Sequence, residues 1–352
     1  MAPPLKLLLR AAVDHKQTPA RANIAMQDIR LIALTAWLSS LSPDLGLITS
    51  SLRPASMDAS SRRYFRVDRE AGTFIVMDAP PIAEDSRPFV RVAEMMRSAG
   101  LNVPEVVRSD LSQGFLLLTD LGDATYLSVL NEKNAPDLFS DAIDALVRWQ
   151  LATSIDQLPR YDDALLRREL QLFPDWYVAR HLQRSLTPAQ SDALDDVFSR
   201  LVASSLAQPT VFVHRDYMPR NLMLSSPNPG VLDFQDAVIG PVTYDIVSLL
   251  RDAFISWDAA RVREWAQLYF ARARAAGLPL QSDFDSFWRD FEWMGMQRHL
   301  KVLGIFARIR HRDGKPRYLE DAPRFVGYVR AVAQRYGELA PLTRLFDQLE
   351  MQ

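Results

Sequence analysis

Between Val211 and Ala237 the chain reads VFVHRDYMPRNLMLSSPNPGVLDFQDA, and here His214, Asp216, Asn221 and Asp233 abut residues of apolar, strand-forming character. Polar groups at the ends of buried strands need partners or a task. TVFVHRD predicts a strand running into a loop. NLML and VLDF predict two short strands joined by SSPNPG, whose Pro227, Asn228, Pro229 and Gly230 are strong turn formers. Such a hairpin carries Asn221 and Asp233 back to the same end. An Asp, an Asn and a second Asp make a hard oxygen set that suits Mg²⁺, which keeps several waters and is completed by substrate phosphates. One carboxylate is then left to orient a hydroxyl and accept its proton. The chemistry is phosphoryl transfer, in which catalysis is mostly positioning and charge neutralisation.

Those residues need elements to position them. The 352 residues are 48% hydrophobic and 24% charged, ordinary for a globular protein, and the length suits two lobes. A formal net charge of −2 supplies no bulk field for nucleic acid or an anionic membrane. Cys is absent, which excludes disulfides and thiolate metal sites and suits a reducing cytoplasm. No apolar run reaches the roughly 20 residues of a membrane span. The reading is a cytoplasmic protein without nucleic-acid or membrane partners, monomeric by preference.

The opening residues 1–25 read as a disordered extension, its apolar patch interrupted by Lys6 and Arg10, and Met26 is the expected true start. From there Ile29, Ile32, Leu34, Trp37 and Leu38 recur at helical spacing. Residues 26–118 predict a small β-rich N-lobe with strands at LITSSLRPA, RRYFRVD, TFIVMDAP, VPEVVRSD and GFLLLTD. Its one further helix, SRPFVRVAEMMRSAG, opens on Ser86 as N-cap and closes at Gly100. Residues 119–121 read as a hinge and 122–352 as a larger helical C-lobe, interrupted by strands in the opening stretch alone. The class is α+β.

His214-Arg215-Asp216-Tyr217-Met218-Pro219-Arg220-Asn221, followed by Leu232-Asp233-Phe234-Gln235-Asp236, resembles the H-x-D-x-x-x-x-N and D-F/W-x-D pair of the aminoglycoside phosphotransferase superfamily. Gly240-Pro241-Val242-Thr243-Tyr244-Asp245-Ile246 resembles its third segment, G-x-P-x-x-D-L. The resemblance implies the bilobal protein-kinase-like fold, with Asp216 as catalytic base, His214 bracing the loop, Asn221 and Asp233 holding Mg²⁺, and Asp236 and Asp245 as structural anchors. A protein kinase is disfavoured, because DFQD replaces D-F-G and Met218 stands where many carry a catalytic-loop Lys. GPVTYDIVSLL also follows Asp233 too closely for an activation loop.

From Met26 to about Tyr336 the chain looks like the N-acetylmuramate/N-acetylglucosamine 1-kinases, through SMDASSRRYFRV, FIVMDAPP, GFLLLTDLGD, LQLFPDWYVARHL and QRHLKVLGIFARIRHRDGKPRYL. That likeness implies ATP-dependent phosphorylation of the anomeric C1 hydroxyl, in peptidoglycan recycling towards UDP-N-acetylmuramate. The nucleotide loop lacks a Gly-rich signature, so Ser60, Ser61, Arg62 and Arg63 are expected to cover the phosphates. TFIVMDAP carries Met77 and Asp78 where a phosphate-binding Lys is expected, so Arg62 or Arg63 is expected to replace that charge. Backbone groups of Thr119, Asp120 and Leu121 are expected to face adenine. Glu169 and Trp176, at i and i+7 on one helical face, are expected at the sugar. Arg298, His299 and Lys301 form the expected basic helix face for the lactyl carboxylate of N-acetylmuramate.

Two other functions stay open: a small-alcohol kinase acting on an aminoglycoside, choline-like or homoserine-like acceptor, and a nucleotide-binding pseudokinase adaptor. The locally basic QRHLK and ARIRHRDGK segments disfavour a cationic aminoglycoside. Intact Asp216, Asn221 and Asp233 disfavour the pseudokinase.

Overall fold

The computed structural model describes residues 19–56, 62–154 and 156–351, so Ser60 and Ser61 lie outside the described residues. The chain forms two compact units. One runs to Arg87 and resumes over Val106–Asp120; the other takes Pro88–Glu105 and the chain from Leu121 onward.

The first unit contains helix α1 (Pro19–Leu45) and strands β1 (Leu47–Ser56), β2 (Arg63–Arg69), β3 (Thr73–Asp78), β4 (Val106–Asp110) and β5 (Phe115–Thr119). The strands make an antiparallel sheet in the order β1-β2-β3-β5-β4. Period-two alternation sends Val67, Phe74, Val76, Phe115 and Leu117 to one face, where they pack against Leu34 and Leu38 of α1. Ile29 and Ile32, read with that stripe in the sequence, are 56% and 70% exposed. They stand five and two residues before Leu34, spacings that turn a side chain to the far side of a helix rather than stacking it one turn away.

The second unit begins with α2 (Arg87–Ser98), α3 (Tyr126–Val129), α4 (Ala135–Leu151) and α5 (Asp163–Leu170), then a π-helix over Phe173–His181 and α6 (Pro188–Ala207). Four short strands follow: β6 (Thr210–Val213), β7 (Leu222–Met223), β8 (Gly230–Val231) and β9 (Val238–Pro241). β6 pairs antiparallel with β9, and β7 with β8. Helices α7 (Tyr244–Leu250), α8 (Ala259–Ala275), α9 (Phe284–Asp313), α10 (Ala322–Arg335) and α11 (Ala340–Gln348) complete it. Every residue of α9 from Phe291 to Gly304 is buried, because α6, α7, α10 and the π-helix surround it. A Cβ at Gly304 would lie 2.3 Å from the carbonyl carbon of Leu172, so glycine is what lets the two backbones meet there.

Two expectations change here. Arg298, His299 and Lys301 are not a solvent-facing basic surface, since all three lie inside α9's buried run. Nor do Glu169 and Trp176 share one helical face, because α5 ends at Leu170 and Trp176 belongs to the π-helix. Pro174 lacks the N–H that would continue the i→i−4 ladder, and the wider turns beyond it advance side chains differently.

Candidate active site

Strand β6 delivers the chain to His214, and the next turn is strained. Arg215 has φ 77° and Asp233 φ 63°, left-handed values that cost a non-glycine residue of order 1 kcal/mol or more. Asp245, fully buried at the start of α7, holds the first of them: the His214 N–H donates to its Oδ2 at 2.6 Å and the Arg215 N–H to its Oδ1 at 3.0 Å. The Asp216 N–H donates to His214 Nδ1 at 3.2 Å. Nε2 therefore carries the ring hydrogen and donates to the Leu232 carbonyl at 3.0 Å. Burial pulls the His214 pKa down to about 4, against the opposing charge of Asp216, so the imidazole is neutral at physiological pH. Burial pushes Asp245 up to about 7, even with two backbone donors on it.

The turn formers do what their sequence asks. In the β7–β8 hairpin Leu222 pairs with Val231 and Met223 with Gly230, and the Leu232 N–H donates to the Asn221 carbonyl at 2.9 Å. Asn221 Nδ2 donates to the Asp216 carbonyl at 2.9 Å and lies 3.4 Å from Asp233 Oδ2, so the three residues meet. Gln235 Nε2 donates to Asp233 Oδ1 at 2.8 Å. Asp216 and Asn221 are half-buried and Asp233 is exposed. The donor set fits Mg²⁺: one exposed carboxylate and one amide are hard ligands with room for waters and phosphate oxygens, and no His or Cys is offered that would favour zinc. Asp236 enters through its backbone alone, its carbonyl accepting a long 3.4 Å contact from Arg215 Nη1 while its side chain is exposed.

Behind this loop sits Glu169, 5% exposed. Its carboxylate accepts from Arg215 Nη2 at 2.5 Å, Lys301 Nζ at 2.9 Å, Gln297 Nε2 at 3.3 Å and the Tyr161 hydroxyl. Lys301 also donates to the Tyr244 hydroxyl at 2.9 Å. Glu169 and Lys301 are thus brought together, but as each other's partners. Arg298 and Asp252 are buried as well, and Arg298 Nη1 and Asp252 Oδ2 have no hydrogen-bond partner among the described residues. His299 stacks on Tyr328 with centroids 5.0 Å apart, and burial, with Arg251 and Arg298 nearby, drives its pKa well below the usual range. It carries no charge for a carboxylate. Trp176 is half-buried and lines a shallow surface cavity with Asp175, Ala179 and Arg180.

In the first unit, Arg62 Nη2 donates to Glu84 at 2.9 Å. Arg63 Nε donates to Asp78 at 2.9 Å, and Arg30 Nε donates to the same carboxylate at 2.8 Å. Arg63 falls on the alternation of Phe65 and Val67, which face α1. The Asp120 carboxylate accepts from Arg66 Nε at 2.6 Å and from Thr73 Oγ1 at 2.6 Å, so its side chain is tied to the sheet. The sequence reading missed Arg215, Lys301 as Glu169's counter-ion, and Asp252. A buried acid and base far apart in the chain leave no local signal; the H-R-D tripeptide was the one available pointer to Arg215.

A strained loop and a two-strand hairpin bring Asp216, Asn221 and Asp233 together, and residues 51–278 match the phosphotransferase enzyme family. The chain belongs to that family. Within it the chain groups with the N-acetylmuramate/N-acetylglucosamine kinases: a protein of that name from Pseudomonas putida is 54% identical over 330 residues, covering 92% of this chain and 97% of the relative. One from Neisseria meningitidis is 46% identical over 325 residues, covering 91% and 96%. Among solved structures, an ADP-bound aminoglycoside phosphotransferase aligns with TM-score 0.53 and 16% identity over 83% of this chain and 96% of that one. The choline kinase LicA from Streptococcus pneumoniae aligns with TM-score 0.57 and 12% identity over 83% and 97%. These likenesses give the protein-kinase-like fold. No helix among the described residues is long and apolar enough to cross a membrane.

Proposed function

We propose that the protein transfers the γ-phosphoryl group of ATP to the C1 hydroxyl of N-acetylmuramate or N-acetylglucosamine, as a cytoplasmic step of cell-wall sugar salvage. The observation that carries the transfer chemistry is the meeting of Asp216, Asn221 and Asp233 on a braced loop; the sugar comes from the names of relatives that match over nearly their whole length. Asp216 is the base. It orients the hydroxyl and takes its proton as the oxygen bonds to phosphorus and the bond to the bridging oxygen of ADP breaks. His214, neutral and bonded at both ring nitrogens, positions Asp216 and takes no proton. Asp233 and Asn221 would hold Mg²⁺, which supplies charge neutralisation on the phosphates when bound. We assign Arg62 to those phosphates, because it immediately precedes β2 and its partner Glu84 keeps 25% exposure, whereas Arg63 shares the fully buried Asp78 with Arg30 on the α1 side. Thr119 to Leu121 serve adenine through backbone groups. On the acceptor side Arg298 and Asp252 replace the basic helix face, since a sugar hydroxyl both accepts and donates and could satisfy their partnerless atoms.

The test is product NMR after incubation with Mg²⁺-ATP and each sugar. Phosphate on C1 is expected, and phosphate on C6 overturns the reading. Asp233→Ala should lose Mg²⁺-dependent nucleotide binding; wild-type binding in that variant removes the metal assignment.

A further inference from the structure

We infer that Glu169 is a positioning residue for phosphoryl transfer, acting through Arg215 on the loop that carries Asp216. Its activity readouts rest on the kinase reading above. Arg215, whose backbone is left-handed, is gripped at two points: its N–H by Asp245 at 3.0 Å and its guanidinium by Glu169 at 2.5 Å. The two grips are joined, because Lys301 bridges Glu169, at 2.9 Å, to the hydroxyl of Tyr244, at 2.9 Å, and Tyr244 immediately precedes Asp245 on α7. A closed ring of polar contacts therefore runs from Glu169 through Lys301, α7 and the loop backbone to the Arg215 side chain and back. Burial works against a charged Glu169, but Lys301 and Arg215 prevail and its pKa lies below the usual carboxylate value, so the ring stays ionised at neutral pH. In many kinases a phosphate added to an activation loop orders the site by pairing with arginine. Here a carboxylate built into α5 faces the catalytic-loop arginine permanently, so the loop needs no modification to be set.

The experiment uses the full chain with Glu169→Gln, which keeps the side chain's size and removes its charge. Turnover should fall at least about tenfold, with KM for ATP and sugar moving less than about threefold. Placed on Arg215→Met, Glu169→Gln should cost less than about twofold more, because the partner it acts through is already gone. Hydrogen exchange at the His214–Tyr217 amides should quicken in Glu169→Gln, and that readout needs no substrate. If wild type phosphorylates neither sugar, the kinase reading fails and exchange alone decides this inference. Wild-type turnover in Glu169→Gln, fully additive losses in the double variant, or unchanged exchange would each overturn it. Should Glu169→Gln fail to fold, Lys301→Gln breaks the same ring and carries the same expectations.

Discussion

Asp78 in the first unit lies between Arg30 and Arg63, and Glu169 in the second lies between Arg215 and Lys301. Each is a buried carboxylate with two cations, and by composition the clusters are near twins. Their settings differ. Arg30, Arg63 and Asp78 sit on α1, β2 and β3, regular elements, and none of the three has a left-handed backbone. Arg215 sits on a left-handed turn next to Asp216. An ion pair joining regular elements can do little but fasten them, whereas one that ends on a strained loop decides what the loop presents. Buried charge is thus weak evidence for either role until the backbone it holds is known.

The strongest way to break this contrast is to remove the group that only the second cluster serves. Asp216→Asn leaves both clusters intact, and turnover should drop by about 10²–10⁴-fold, with sugar affinity and unfolding midpoint close to wild type. Steady-state kinetics beside a urea titration checks it. Near-normal turnover would make the second cluster as structural as the first.

The converse variant is Asp78→Asn. Removing one partner of a buried ion pair costs about 3–5 kcal/mol, and the low end is expected because the Arg30 and Arg63 side chains keep 20% and 27% exposure and can hydrate. Stability should fall by about 3 kcal/mol in urea, with turnover per folded molecule unchanged. A lost turnover at full stability would place Asp78 in the nucleotide chemistry instead.

The two clusters also differ in how far the sequence discloses them. The hairpin and its three polar residues could be read because Pro, Asn and Gly fix the turn, and the turn fixes which residues meet. The N-terminal sheet showed itself through β-rich apolar runs such as TFIVMDAP and GFLLLTD. The Glu169 ring did not: its members come from distant segments, and Lys301 looks like any basic helical residue until α9 is found to be wrapped on all sides. Strand β9 was also invisible as a strand, since it is four residues long and ends in Gly240-Pro241, a pair that reads as a turn. The π-helix followed from Pro174 only in retrospect, because periodicity read at one angle per residue cannot register a change of angle.

A subtler test concerns pH at the shared anchor. His214, at about 4 in the fold against 6.5 ordinarily, binds its proton more readily in the unfolded chain. Its contribution to stability therefore grows as pH rises from about 4 to 6.5 and is lost on acidification. Asp245, at about 7 against 3.8, has the opposite sign: its contribution is full below about 4 and is lost as pH rises towards 7. The two neighbours largely cancel, leaving the loop's stability nearly flat. His214→Gln removes one side of the balance. The wild-type advantage over that variant, measured in urea, should widen from pH 4.5 to 6.5 at up to about 1.4 kcal/mol per pH unit. A narrowing gap would mean that His214 is charged in the fold.

The smallest effect expected is on the choice of sugar, and it bears on whether the second unit's buried charges reach beyond the loop. N-acetylmuramate carries a lactyl carboxylate that N-acetylglucosamine lacks. Of the three residues expected at that group, Lys301 is committed to Glu169 and Tyr244 and His299 is neutral, so the proposed function leaves it to Arg298. A charge-assisted contact contributes about 1.5–3 kcal/mol, and Asp252 beside it already offsets part of the Arg298 charge, so the lower end applies. Arg298→Met should reduce kcat/KM for N-acetylmuramate about tenfold relative to N-acetylglucosamine, or ~1.4 kcal/mol. Competition between the two sugars in one reaction measures that ratio without needing either absolute rate. An equal loss for both would assign Arg298 to holding Asp252 and Asp245 in place, as Arg30 and Arg63 hold Asp78, and the carboxylate would then be read from another part of the second unit.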